Sequence, residues 1–275
     1  MRINHNVAAV NAQRNLMATG LSLSKSVERL SSGLRINRAS DDAAGLSISE
    51  KLRSQIRGLA QAQRNAQDGI SMIQTGEGAM NEIHDMLQRI RELAVEASND
   101  TLSASDRTAV NTEVQALRNE IDAVGNRTQF NGRNLLDGSV AAANFQVGPN
   151  STDTLTVSFS DVRIAALGMT AALTNFNTTQ SVANAQALMT AVDSGIDTVS
   201  GARSSLGAYQ NRLEHTVNNL GVAYENTVAS ESRIRDADFA EETVNFTKAQ
   251  IQQQASTAIL AQANALPQTV LTLLR

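Results

Sequence analysis

Three histidines, His5, His84 and His215, and the complete lack of cysteine set the first limit on what this 275-residue chain can do chemically. Without cysteine there is no disulfide, no thiolate nucleophile and no sulfur-ligated zinc. The histidines show no metal-ligand spacing. Glu214-His215 is an adjacent pair whose side chains diverge on a helix, and no H-E-x-x-H pattern occurs. Gly76-Glu77-Gly78 lacks both the preceding strand and the further glycine of a phosphate loop. Asp41 with Asp42, and Asp236 with Asp238, are carboxylate pairs by position, but they stand where helices begin, where acidic side chains cap free amides and complement the helix dipole. No nucleophile stands beside a base. The residues therefore point away from an enzyme, and no metal or cofactor is expected.

Composition narrows the class further. Hydrophobic residues are 41% of the chain but aromatic residues only 3%, with six Phe, two Tyr and no Trp. Each aromatic ring buries a large apolar area, so a broad globule of this size would use more of them. Ala, Leu, Val and Ile instead suit narrow seams between helices, and two prolines leave room for long ones. A net charge of -4 disfavours nucleic acid, which selects a basic face. Apolar runs such as Val140-Ala141-Ala142-Ala143 are far shorter than the roughly 20 residues that span a bilayer. The first twenty residues are broken by Asn, Gln and Arg, unlike a secretory leader.

Periodicity supplies the elements. Ile3, Val7 and Val10 share one helical face, and after a change of register Leu16, Leu23, Val27, Leu30 and Leu34 follow at steps of three, four or seven. That stripe is thin and interrupted. From Ser40-Asp41-Asp42 a strong helix is expected over about 43–98, with Ile48, Leu52, Ile56, Leu59, Ala66, Ile70, Ile73, Met80, Ile83, Leu87, Ile90, Ala94 and Ala97 at heptad-like steps. About 55 residues at ~1.5 Å each make a rod of roughly 80 Å. Gly58, Gly69, Gly76 and Gly78 weaken it unless some serve close packing. Ser103 to Asp106 fits a capping box, opening a helix over about 104–126 with Val110, Val114, Leu117, Ile121 and Val124 inward, folded back antiparallel on the first.

Residues 127–160 change character. Asn131-Gly132, Asp137-Gly138 and Gly148-Pro149-Asn150 are turn sequences, and Phe145-Gln146-Val147 and Leu155 to Phe159 alternate apolar with polar, so a small β-hairpin element is expected. Residues 160–178 read as a short connector. A second rod is expected over about 179–229, followed by a weak helix from Asp238 with Val244, Ile251, Ile259, Leu266, Val270, Leu273 and Leu274 on its stripe. The fold class is mainly α: a long antiparallel coiled-coil rod from both halves of the chain, with both termini at one end.

The two weak ends carry the functional expectation. Ordering costs about 1.5 kcal/mol per residue, or ~60 kcal/mol for a 40-residue segment, more than such stripes offset alone. Segments of this kind order against other chains. The design is that of a polymer: a stable rod with adhesive ends.

Longer motifs then become specific. VERLSSGLRINRASDDAAGLSIS starts at Val27, QAQRNAQDGISMIQTGEGAMNEI at Gln61, LQRIRELAVEASND at Leu87 and TQFNGRNLLDG at Thr128. LGAYQNRLEHTVNNL starts at Leu206, ESRIRDADFAEE at Glu231, and the chain ends in ILAQANALPQTVLTLLR. These closely resemble bacterial flagellin, the subunit of the flagellar filament, over roughly residues 1–138 and 195–275. The resemblance implies that 1–43 with 232–275 are inner-core terminal helices, disordered before assembly, and that 44–231 is the rod domain outside them. It implies a short form, since only residues 160–178 stand where larger members insert outer domains. The implied partners are other copies of the chain in a helical homopolymer, an export chaperone on the C-terminal segment, hook–filament junction and cap proteins, and a host Toll-like receptor. The implied place is the extracellular filament, reached by the flagellar type III route without a cleaved leader. Receptor contact would fall on Arg89 and Leu93, with Glu113 on the neighbouring helix.

Overall fold

The computed structural model describes residues 6–273, with side-chain surroundings through residue 265. In chain order the described elements are α1 (Val7–Ser32), α2 (Ala43–Ala97), α3 (Ala104–Arg127), β1 (Gln129–Phe130), β2 (Arg133–Asn134), β3 (Ala142–Gln146), β4 (Thr154–Ser158), α4 (Thr170–Thr178), α5 (Val182–Arg235) and α6 (Phe239–Leu273). The fold is mainly α. The chain forms two compact units: one from 1–56 with 225–275, the other from 57–224.

The second unit holds most of the buried apolar side chains. Along α2, Ala66, Ile73, Met80, Ile83, Leu87, Ile90, Ala94 and Ala97 are buried, and along α5, Ala185, Leu188, Val192, Val199, Leu206 and Leu213 follow the same three-four-seven rhythm. The two helices run antiparallel. Arg91 Nε donates to Asp193 at 2.5 Å, Arg203 lies 3.8 Å from Glu77, and Leu59 and Ala62 cluster with Leu220. Helix α3 returns along α2, with Val110, Val114 and Ile121 inward and Arg107 Nε donating to the Ala97 carbonyl. Its start is the expected capping box: Ser103 Oγ accepts from the Asp106 amide and the Asp106 carboxylate accepts from the Ser103 amide. Helix α5 begins at 182, a few residues later than the periodicity indicates, because Thr179 closes α4 and Ser181 Oγ accepts from the Asn184 amide. It continues to 235 rather than 229.

Two hairpins replace the single one expected. Strands β1 and β2 turn at Asn131 and Gly132, both at positive φ (49° and 78°), the conformation that Asn-Gly adopts at a two-residue turn. Strands β3 and β4 pair antiparallel with Asn144 opposite Thr156, and Leu155 and Val157 face inward from the alternating strand. This hairpin docks on α2 where glycine leaves room. A Cβ on Gly69 would stand 3.1 Å from the Phe145 ring and 3.3 Å from Leu213; Gly58 receives Pro149 and Gly76 receives Phe159 in the same way. Gly78 faces open space.

The segment read as a connector, 160–178, is instead part of the core. Val162, Ile164, Leu167, Met169, Leu173 and Phe176 are all buried, and residues from 170 onward form α4. Their spacing follows neither a helical nor a strand period, so no element was visible in the sequence. Polar contacts fix the segment: Arg163 donates to both Asp161 carboxylate oxygens and to the Asp137 carbonyl, and Asp122 accepts from the Ile164 amide. Asp137 stands in a tight turn. The Ser139 hydroxyl, which also reaches the Asn134 carbonyl at 3.3 Å, the Asn134 amide and the Ser139 N–H hold its carboxyl at about 2.

Two outcomes follow from this packing. Gly78→Ala is expected to stabilise the protein by about 0.5–1 kcal/mol through helix propensity, whereas Gly69→Val, wedged between Phe145 and Leu213, is expected to destabilise it by about 1–3 kcal/mol; urea unfolding followed by circular dichroism measures both. The Asp137 carboxyl ionises near 2 when folded and near the ordinary 3.8 when unfolded, so its contribution is complete above about pH 4 and is lost as pH falls through 2. The gap in thermal midpoint between parent and Asp137→Ala should be flat from pH 5 to 7 and should close below pH 4. A gap unchanged down to pH 2 contradicts this assignment.

Candidate functional site: the terminal helix pair

Helix α1 stops at Gly33, whose φ of 71° lets its N–H reach back to the Arg29 carbonyl at 2.8 Å. The chain then bridges the segment between α5 and α6. Leu34 pairs with Asp236, the Arg35 amide donates to the Arg235 carbonyl at 2.7 Å, and the Ala237 amide donates to the Gly33 carbonyl at 3.0 Å. The Arg35 guanidinium adds a bond to the Ile234 carbonyl. Arg235 reaches Glu50 at 2.7 Å and holds that carboxyl below its ordinary range. Helix α6 starts under a cap, with Asp238 Oδ1 accepting from the Ala240 and Glu241 amides. Asp42 caps the start of α2 through the Gly45 amide. Of the aspartates that could have been read as paired carboxylates, Asp41, Asp42 and Asp238 thus hold backbone amides.

From this junction α1 and α6 run antiparallel, with Arg29 beside Glu242 at one end and Asn6 Nδ2 donating to the Ala263 carbonyl at 2.7 Å at the other. Most of the sheltered positions alternate by three and four, with Gly20, Glu28, Arg29 and Thr243 beside them. On α1 they are Ala9, Ala12, Leu16, Thr19, Leu23, Ser26 and Leu30; on α6 they are Glu242, Phe246, Ala249, Gln253, Ser256, Leu260 and Ala263. With Arg29 beside Glu242 at one end and Asn6 on Ala263 at the other, the heptad count between these anchors brings large near small: Leu23 toward Ala249, Ser26 toward Phe246, Leu16 toward Ser256, and Ala12 toward Leu260. This is a coiled-coil seam, but a mixed one in which leucine and phenylalanine alternate with alanine, serine, threonine, glutamine and a glutamate.

Further large apolar side chains lie off the seam. Val7, Val10, Met17, Leu21 and Val27 on α1, and Phe239, Val244, Ile251 and Ile259 on α6, are 48–70% exposed. Val7, Val10, Met17 and Leu21 each fall two residues before a seam position, about 200° around the helix and so on its far side. Of the residues expected to build an assembly core, Leu16, Leu23, Leu30 and Leu34 are half-buried within this unit. Val7, Val10, Val27, Val244, Ile251 and Ile259 face outward. Ile3 and Leu274 lie outside the described residues, and the side chains of Leu266, Val270 and Leu273 are likewise not described. Ala9, Ala12, Thr19, Ser26, Glu242, Phe246, Ala249, Gln253, Ser256, Leu260 and Ala263 were missed. The three-four alternation would have found them had small and polar residues been admitted to the stripe.

On the second unit, Arg89 and Glu113 meet across α2 and α3 at 2.8 Å, and Arg89 also donates to Glu92 at 3.0 Å. Both residues are about half exposed. Leu93 is not: at 2% exposure it belongs to the core. The expectation of a surface contact there is corrected, because position 93 adds to the inward face that Ile90, Ala94 and Ala97 already form.

No cluster of three or more potential metal ligands occurs among the described residues. His84 Nε2 is paired with Gln88 at 2.8 Å, and Glu214 accepts from Gln210. No described helix is long and apolar enough to cross a membrane.

Comparison with known proteins identifies the family. The family model described as the bacterial flagellin N-terminal helical region matches residues 3–141, just over half of the chain, and the bacterial flagellin C-terminal helical region matches residues 189–274. The chain is 52% identical over 278 residues to the flagellin of Halalkalibacterium halodurans, and 47% identical over 285 residues to the flagellar filament core protein flaB2 of Brachyspira hyodysenteriae, with 100% of each chain covered in both cases. The crystal structure of Bacillus cereus flagellin matches at a TM-score of 0.51 and 32% identity, covering 57% of this chain and 88% of that one. With two helical regions matched in order, full-length relatives and unpartnered apolar faces on its terminal helices, the chain belongs to the bacterial flagellins, the structural proteins of the flagellar filament.

Proposed function

We propose that this protein polymerises into the extracellular helical filament that drives bacterial motility, by ordering its terminal helices against neighbouring copies while its second unit packs rod against rod. The observation that carries this reading is the double-faced character of α1 and α6. Each helix turns a mixed stripe, with leucine or phenylalanine among alanine and polar residues, to the in-chain seam and leaves further large apolar residues, such as Leu21 and Ile251, on open faces. Exposed apolar stripes of this kind mark protein interaction sites. The seam alone buries little, so the pair gains most of its stability from what covers the outer faces. In that reading residues 1–43 and 232–275 are disordered before assembly and residues 44–231 are the preformed rod domain.

The same faces supply the other partners. A chaperone covering the stripe from Val244 to Leu274 would shield it before export by the type III route, and junction and cap proteins would meet it at the filament ends. The chain's freedom from cysteine suits passage unfolded to the outside. A second reading rests on a separate observation: the exposed Arg89–Glu113 pair joins α2 and α3 on one surface, where a host Toll-like receptor would read it. Leu93 then shapes that surface from beneath.

Leu21→Asp with Ile251→Asp places charge on both open faces without touching the seam. The variant is expected to lose filaments in electron micrographs of concentrated protein while keeping its helical circular dichroism, and deletion of 1–35 or 245–275 should do the same. Normal filaments from either would defeat the coupled-folding reading. For the receptor, Arg89→Ala or Glu113→Ala should reduce activation of a reporter cell at least about tenfold, with no measurable change in thermal midpoint, since exposed ion pairs hold little of a fold together. Equal activity in parent and both variants removes the assignment.

A further inference from the structure

We infer that Glu242 is the positioning residue that sets the register of α1 against α6, and with it the alignment of the two open apolar faces. Glu242 is 6% exposed and occupies a seam position beside Arg29, which by heptad count is the layer of Leu30. Its cationic partner within the seam is Arg29, whose Nη1 lies 3.5 Å from Glu242 Oε2 and whose side chain is one-third exposed.

The remainder of the seam chooses register poorly. Shift α6 by one heptad in one direction, and Leu16 falls level with Ala249 and Thr19 with Phe246. Shift it in the other, and Leu23 falls level with Ser256 and Leu30 with Ala249. Large still meets small in both cases, so packing nearly repeats every seven residues. The charge does not repeat. In the first shift Glu242 is level with Leu23, a buried carboxylate without its cation; in the second it passes the end of α1 and leaves Arg29 unpaired. An unpartnered charge in a sheltered seam is strongly disfavoured, and a single polar residue at such a position is a known means of fixing register. The backbone bonds of Leu34, Arg35 and Ala237 oppose a slip near Gly33 whatever the side chains, and a slip of α6 must break them first. Arg29 with Glu242, one to two turns further on, adds the selection that side chains make, along the length where those bonds no longer act.

Register matters for function because the outer stripes are two residues removed from the seam. A slip of one heptad would displace the α6 stripe by ~10 Å along the α1 stripe at 1.5 Å per residue. A neighbouring copy that covers both stripes requires them aligned. This inference rests on the filament reading for its consequence, not for the register itself.

The cysteine-free sequence makes the register directly measurable. Gln253→Cys is combined with Thr19→Cys, its level partner in the observed register, or with Ala12→Cys or Ser26→Cys, which become level only after a one-heptad slip. Mild oxidation of assembled filaments and a non-reducing gel read the intrachain disulfide. With Glu242 intact the Thr19 pair alone should close. With Glu242→Leu the slipped pairs should rise roughly tenfold or more, and Arg29→Glu with Glu242→Arg should restore the single register. Exclusive closure of the Thr19 pair in Glu242→Leu overturns the inference. If Glu242→Leu does not polymerise, the charge exchange decides: filaments with the Thr19 cross-link support the inference, and slipped or absent filaments overturn it. A parent chain that never forms filaments counts against the filament reading instead, and the same cross-link yields are then read on the concentrated soluble chain.

Discussion

Helices drawn from opposite halves of the chain lie antiparallel in both units, and every other feature depends on the seam each pair makes. Helix α2 meets α5, and α1 meets α6, through positions spaced by three and four. A helix pair cannot bury a wide apolar surface. It buries a stripe, and the side chains chosen for that stripe decide how much the pairing contributes. Leucine or isoleucine contributes about 1.5–3 kcal/mol when fully buried; alanine and serine contribute far less and threonine or glutamine must keep a polar atom satisfied.

The two seams use this difference in opposite ways. Between α2, α3 and α5 the stripe is isoleucine, leucine, valine and methionine at essentially zero exposure, sealed by Phe145, Phe159 and Phe176 from the hairpin and α4. That unit holds its own core. Between α1 and α6 four leucines and one phenylalanine, only half-buried, are diluted by alanine, serine, threonine, glutamine and a buried glutamate, while further valines, isoleucines and Leu21 point away. The same heptad geometry thus yields one unit that is complete and another whose outer faces lack a cover. In the proposed assembly the incomplete unit is the one that would answer to concentration, because neighbouring copies would supply the missing burial.

Glycine divides its work in a comparable way. Gly69, Gly58 and Gly76 on α2 are contact points where the hairpin and its flanks come closer than most side chains would allow, whereas Gly78 has nothing above it. The capped helix starts are local in the same sense: Ser103, Asp42, Ser181 and Asp238 each bond amides within a few residues.

Much of this was legible in the residues alone. The long helices, their caps, the inward stripe of Val110, Val114 and Ile121, and the turn at Asn131-Gly132 follow from local periodicity and turn chemistry, which tertiary contact does not alter. The motifs from Val27 to Asp100 and from Glu231 to Arg275 were sufficient to place the chain among the flagellins. Three things were decided only by the tertiary structure. Residues 160–178 became core because their apolar side chains match gaps left by α3 and α5, a fit that no period reports. Leu93 turned inward because the α2 stripe widens there to receive a second helix, α3, beside α5. And the outward valines and isoleucines of α1 and α6 were separated from a mixed seam of leucine, alanine, serine and glutamine. Hydrophobicity read along a sequence says which residues avoid water; it takes a partner helix to say which of two apolar faces is already covered.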